Sequence, residues 1–439
     1  MTIMTVWQQR LFLVISCMLL TSLFACVSQR PIDPETNNTI TLWTIFNTQS
    51  PQNDQDIWLA QTIQAFAAEH DLSITHVHQN YAHINSNLSL AVNAGSAIPD
   101  LSYVNSQQVP FYINQGGLQD LTSLVQQADW FADLHPDALR ACTGPDQRIY
   151  CVPGHLYSRL IYYWKDAWPD GFPTDTETLL AEAARLKQAD QYALTFKGSE
   201  KAAAEGFYFS LIAGYGGQYA NAAGAATWAT PETAQAVAFV REMYQQAFIP
   251  DVVFSPGFDH ERAFMTGQAA AFAAGSWSSL YLNPLTAPDG TTFDQGSASV
   301  EAALAAGELG LAPLFAAPGA SPVVLLTVPS WGIPNGSPNP QQAWQCIDYM
   351  MQTQRNADYA IASGGIPARL SAAADPRFDT PYWRFIEQNQ HAHGTTMPPL
   401  RDYDQGLTLL SETIVRLILQ PNLDILTTLQ EAQDVYNNN

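Results

Sequence analysis

From residue 40 onward the chain alternates strand and helix signatures, and this alternation restricts the fold more than any other feature. The apolar, β-rich run ITLWTIF leads into a polar loop, NTQSPQND. Ile57, Ala60, Ile63 and Ala67 then recur at the spacing of one helix face. The next segment, LSITHVHQNY, alternates and is β-branched, so it reads as a strand. Strand, helix and strand at this spacing make a βαβ unit and imply a parallel sheet. The helical NLSLAVNAG and the short strand PDLSYVN continue the pattern. Farther along, PTDTETLLAEAARLKQA offers a capping box of Thr174 and Glu177. TPETAQAVAFVREMYQQA places Thr230 as N-cap before Pro231, and NPQQAWQCIDYMMQ repeats the device with Asn339 and Pro340. The apolar stripes of these segments are core faces. The expected class is α/β.

A leader precedes this body. Residues 11–25 of LFLVISCMLLTSLFACVSQR are uncharged and follow a single cation, Arg10. A membrane-spanning helix needs roughly 20 apolar residues, so the run is short for a span and fits a secretory signal core. Its end, Leu23-Phe24-Ala25-Cys26, resembles a bacterial lipobox, in which the cysteine is lipidated and becomes the new N-terminus. The polar VSQRPIDPETNN that follows cannot bury enough surface to order itself. Residues 1–25 are therefore expected to be a lipoprotein signal peptide, and 26–38 the lipidated Cys26 with a flexible spacer. The body would be exported and held on the outer face of the cell membrane by lipid only.

The chain has 439 residues, enough for two or more domains after the leader is removed. Its net charge of −22 comes with only 18 basic residues and no basic stripe, so nucleic acid is not an expected partner. The shortage of cations also argues against an acidic substrate, although one buried Arg can still bind a carboxylate. Of the five cysteines, Cys17 leaves with the signal. Cys142 and Cys151 bracket CTGPDQRIYC, whose Gly-Pro-Asp-Gln centre is turn chemistry. In an oxidising compartment a disulfide closing a hairpin is expected there. Cys346 reads as a buried small hydrophobe.

No Gly-x-Ser-x-Gly elbow, His-Glu-x-x-His, Walker loop or Cys-x-x-Cys pair occurs. His76 with His78 and His391 with His393 are pairs without a nearby cysteine or carboxylate to complete a metal site, so no metal and no cofactor are expected. What remains is aromatic and amide chemistry near strand ends: Trp43, Phe46 and Asn47 after the first strand, and Tyr103, Asn105 and Gln107 around the third. Ligands of open α/β sheets bind beyond the carboxyl ends of strands. An aromatic face can cover the C–H surface of a pyranose while amides take its hydroxyls, and no charge is needed.

Four segments carry a family resemblance. RIYCVPGHLYSRLIYYWKDAW resembles the G-x-x-Y-x-x-P … YYNKD-x-F stretch of the family 1 extracellular solute-binding proteins of ABC importers, the maltose-binding-protein type. RAFMTGQAAAFAAGSWSSLYL is similar to that family's F-x-x-G-x-A-A-M-x-x-x-G-x-W, and SWGIPNGSPNPQQAWQCIDYMM to its G-W-x-I-P-x-G-S-x-N-P element. IASGGIPAR matches the closing G-x-x-P-x-R. All four stand in the family's order. Trp164 replaces the usual Asn, and PTDTETL lacks the usual Trp; these departures bear on the ligand rather than the fold.

The resemblance implies a two-lobed type II binding-protein fold with three crossings, near Tyr157, Ala312 and Gly364. The first lobe would hold 39–156 and 313–363, and the second 157–312 and 364–439. A neutral sugar or oligosaccharide would be clamped between them and delivered to a permease, with no catalysis by this chain and no partner copy. Trp277 leads the expected contacts, as the tryptophan of the G-x-W element. Tyr157 and Arg369 would reach the ligand from the crossings, and Phe46, Asn47, Asn105, Gln107 and Trp331 from the first lobe. A receptor for a metal, peptide or polyamine is the alternative, and a secreted glycoside-acting enzyme stands behind it.

Overall fold

The computed structural model describes residues 38–438. The signal-peptide, Cys26 and spacer expectations lie outside the described residues. No helix among the described residues is long and apolar enough to cross a membrane.

Two sheets carry the molecule. The first runs in the order Ser73–His78, Thr39–Thr44, Leu101–Asn105, Pro329–Gly332, Val152–Pro153. Ile40, Leu42 and Thr44 alternate into the core, as a half-buried strand should. Leu42 lies opposite Leu101 in parallel, as the βαβ pattern predicts. Pro329–Gly332, however, is antiparallel to both neighbours, with Trp331 opposite Tyr103 and Val152. This strand enters from the other lobe rather than from a helical crossover, so nothing obliges it to be parallel. The helix Asp54–His70 buries Trp58, Leu59, Thr62 and Phe66, whereas Ile57 is 44% exposed. The predicted face is thus rotated by about one position, because the larger Trp58 and Phe66 win the contact with the sheet.

The second sheet runs Leu309–Ala312, Arg159–Trp164, Ala271–Gly275, Thr195–Phe196. Its core includes the fully buried Trp164, Tyr162 and Trp228. The helix Thr176–Gln188 starts one residue later than the capping-box reading: Asp175 is the N-cap, its carboxylate accepting from the Thr178 amide at 2.9 Å. Thr230 caps Pro231–Gln245 through the Thr233 amide.

Three crossings lie side by side. His155–Leu156 pairs antiparallel with Ile366–Pro367. Tyr157 bridges Thr327, its amide donating to the Thr327 carbonyl at 2.8 Å. The second crossing therefore falls at Thr327 and not at Ala312. Leu314, Phe315 and Val324 to Leu326 all join the second lobe's core, with Phe315 packed on Phe172, Phe207 and Phe239. Burial of these residues holds 313–326 on the second lobe, and Trp331 is the next large residue in the core of the first. Gly364, at φ 67°, ends the helix Thr353–Ser363 in the left-handed region, and a Cβ there would sit 2.9 Å from the Trp277 backbone. Cys142 and Cys151 are joined in a disulfide with their Cα atoms 5.0 Å apart, under the predicted turn and within the first lobe's core. Cys346 is buried, which pushes its thiol up to about 12.

Candidate functional site

Polar and aromatic side chains of both lobes meet beside the crossings. The strand Ala271–Gly275 is small-residue apart from Phe272 and leads directly into the short helical turn Ser276–Leu280, of which Trp277 is the second residue. The indole folds back over Gly275, and a Cβ at that glycine would lie 2.0 Å from the ring. Tyr157 meets Trp277 edge-on with centroids 4.8 Å apart. Arg159, the cross-strand partner of Gly275, sets its guanidinium 4.9 Å above the indole. Such a contact contributes about 0.5–2 kcal/mol, more as water is excluded.

Glu205 sits in a π-helical turn, Ala204–Tyr208, a kind of irregularity that recurs at functional places. It is 3% exposed. Tyr81 of the first lobe donates its hydroxyl to the carboxylate, 3.1 Å from each oxygen, and Tyr403 of the second donates to Oε1 at 2.9 Å. Burial first, and the charge of Glu205 second, raise the Tyr403 hydroxyl well above its ordinary pKa, so it stays a donor. Asn105 donates to the Tyr81 oxygen at 3.3 Å, while its own Oδ1 is sealed from solvent with no partner among the described residues. Gln107 donates to Thr327 Oγ1 at 3.0 Å. Gln55 donates to the Tyr157 hydroxyl at 3.0 Å and faces Tyr281 of the second lobe at 3.5 Å. Lys201 pairs with Asp404 at 2.7 Å, 5.7 Å from the Tyr81 ring. His155 lies edge-on to Tyr157 and Tyr359, and burial lowers its pKa to about 3, so this ring is neutral.

Trp277, Tyr157, Asn105 and Gln107 thus come together. Other expected contacts do not. Phe46, 3% exposed, packs edge-on to Tyr103 and Tyr359 in the first lobe's core. Trp331, 1% exposed, packs on the same two rings. Both are held there by apolar burial. Asn47 closes a local turn, with its amide on Asp56 and its side-chain oxygen accepting from Ser50. Arg369, just past the third crossing, is tied to groups of the first lobe, to Asp133 at 2.8 Å and to the Met351 carbonyl at 2.8 Å. His76 has both ring nitrogens on threonine hydroxyls, Thr44 and Thr48, which leaves neither for a metal. Gln55, Tyr81, Arg159, Glu205 and Tyr403 were not legible as site residues. Only Arg159 carried a signal, two positions beyond Tyr157 in the first motif.

The sequence profile of the bacterial extracellular solute-binding proteins matches residues 61–382. No curated protein sequence matches the chain. Among solved structures, the GacH receptor of Streptomyces glaucescens, solved unliganded and with acarbose, is similar at a TM-score of 0.75 and 17% identity, covering 91% of this chain and 97% of that one. An ABC transporter solute-binding protein of Thermotoga lettingae, bound with α-D-tagatose, gives 0.75 at 20% identity, covering 91% and 99%. Maltose-bound MalE3 of T. maritima gives 0.75 at 17%, covering 91% and 99%. At these identities the likeness establishes the fold: two lobes of the type II binding-protein class.

Proposed function

Because the chain belongs to the bacterial extracellular solute-binding protein family, we propose that it is the exported receptor of an ABC importer and captures a sugar by closing its lobes. One observation carries the reading: amides and tyrosine hydroxyls of both lobes converge beside the Trp277 indole at the three crossings. This is the chemistry that takes up hydroxyls and a pyranose face. The three similar structures, whose ligands are acarbose, tagatose and maltose, support the same class.

A sugar in the cleft touches both lobes only when they are closed, so its binding shifts the population toward the closed form. The closed form is the one a permease would receive, and the importer's other subunits would hydrolyse ATP. A lipid on Cys26 would tether the receptor, as a monomer, beside that permease. The chain itself performs no bond chemistry.

A thermal-shift panel of mono- and oligosaccharides tests this reading. A ligand at 100 times its Kd adds about 2.7 kcal/mol of stability, and scattering should show a smaller radius of gyration with it. Stabilisation by a metal, a peptide or a polyamine but by no saccharide would replace the sugar reading. Turnover of a chromogenic glycoside would replace the receptor reading.

A further inference from the structure

Arg159 is built into the cleft without a protein acceptor. Its guanidinium lies between the face of Trp277, 4.9 Å away, and Gly206, where a Cβ would come within 2.6 Å of Nη1. The glycine therefore gives it room. Its Nε is sealed from solvent and has no partner, and among the described residues no hydrogen bond or ion pair engages its guanidinium. Glu205 is near enough to balance the charge but forms no ion pair with it; its carboxylate instead accepts from the Tyr81 and Tyr403 hydroxyls. The other nearby cation, Lys201, is already paired with Asp404. A structural arginine has acceptors; Arg369, on Asp133 and the Met351 carbonyl, shows the contrast within the same chain.

A rigid fork of unpaired donors matches a planar pair of oxygens. Hydroxyl recognition alone is already supplied by Gln55, Tyr81, Asn105 and Gln107. A dianionic phosphate would meet the charge of Glu205, whereas a single carboxylate carries half that repulsion. Resting on the sugar-receptor reading, we propose that Arg159 anchors a carboxylate on the sugar, so that the receptor prefers a uronate-bearing saccharide to its neutral counterpart.

Calorimetry on the full chain with matched pairs, D-galacturonate against D-galactose and D-glucuronate against D-glucose, together with their disaccharides, tests this. The acidic member of at least one pair should bind about tenfold tighter or more, with affinity falling as salt rises. Arg159→Gln should erase that preference, weakening the acidic sugar about tenfold more than its neutral counterpart. Arg159→Lys, which keeps charge but loses the fork, should retain only part of it, and serves should the glutamine variant not fold. Neutral sugars binding as tightly as their acids, or a preference that survives in both variants, would overturn the assignment while leaving the sugar receptor standing. Binding of no saccharide from either series would overturn the sugar reading itself, and this proposal with it.

Discussion

Gly275 and Trp277 work as one unit. The glycine's backbone is ordinary, at φ −102°, so its need for a missing side chain is one of space. Gly275→Ala should push the indole off its seat, shifting tryptophan fluorescence and weakening ligand binding about tenfold while leaving far-UV circular dichroism unchanged. His155 gives a residue-scale pH dependence. Its folded pKa, about 3, lies below the unfolded value of 6.5. The unfolded chain therefore binds the proton first: the stabilisation is complete above pH 6.5 and is lost as pH falls toward 3. The slope is about 1.4 kcal/mol per pH unit. Denaturant titrations of His155→Leu between pH 6 and 4 should show a flatter decline than the parent. His155 was not singled out in the sequence, because its burial against Tyr359, about 200 positions on, arises only once the hinge is folded.

Local pattern accounts for most of what was legible in the elements. The first strand, the helix cap at Thr230 and the Cys142–Cys151 turn depend on residues within a few positions of each other, and periodicity or turn chemistry exposes them; the cap read at Thr174 falls one residue on, at Asp175. Non-local competition accounts for the misses. Ile57 lost the core to Trp58 and Phe66, and the second crossing moved to Thr327 because Phe315 finds its partners more than 75 residues away along the chain. The site shows the same division: Trp277 and Tyr157 lie in motifs, while Glu205 and Tyr81 meet only after folding, 124 positions apart. At this scale the disulfide is also testable. Its sulfurs close a short loop, with a sequence separation of 9, for which chain entropy gives about 2–3 kcal/mol. Cys142→Ala with Cys151→Ala should lower unfolding free energy by that amount, measured against the oxidised parent.

At the scale of the whole molecule, the Tyr81 hydroxyl on the Glu205 carboxylate is a link from one lobe to the other. Tyr81→Phe removes the hydroxyl without changing the ring. In the absence of ligand this variant should scatter with a larger radius of gyration than the parent, because one bond favouring closure is gone. An identical profile would assign the closed geometry to other contacts. The order of the first sheet has a consequence for how the molecule is made. Pro329–Gly332 is inserted between Leu101–Asn105 and Val152–Pro153, so the N-terminal lobe has a gap in its sheet until a strand from late in synthesis arrives. A nascent chain emerging from the ribosome cannot complete that lobe early. It stays unfolded for longer, the state in which a secretion channel can thread it.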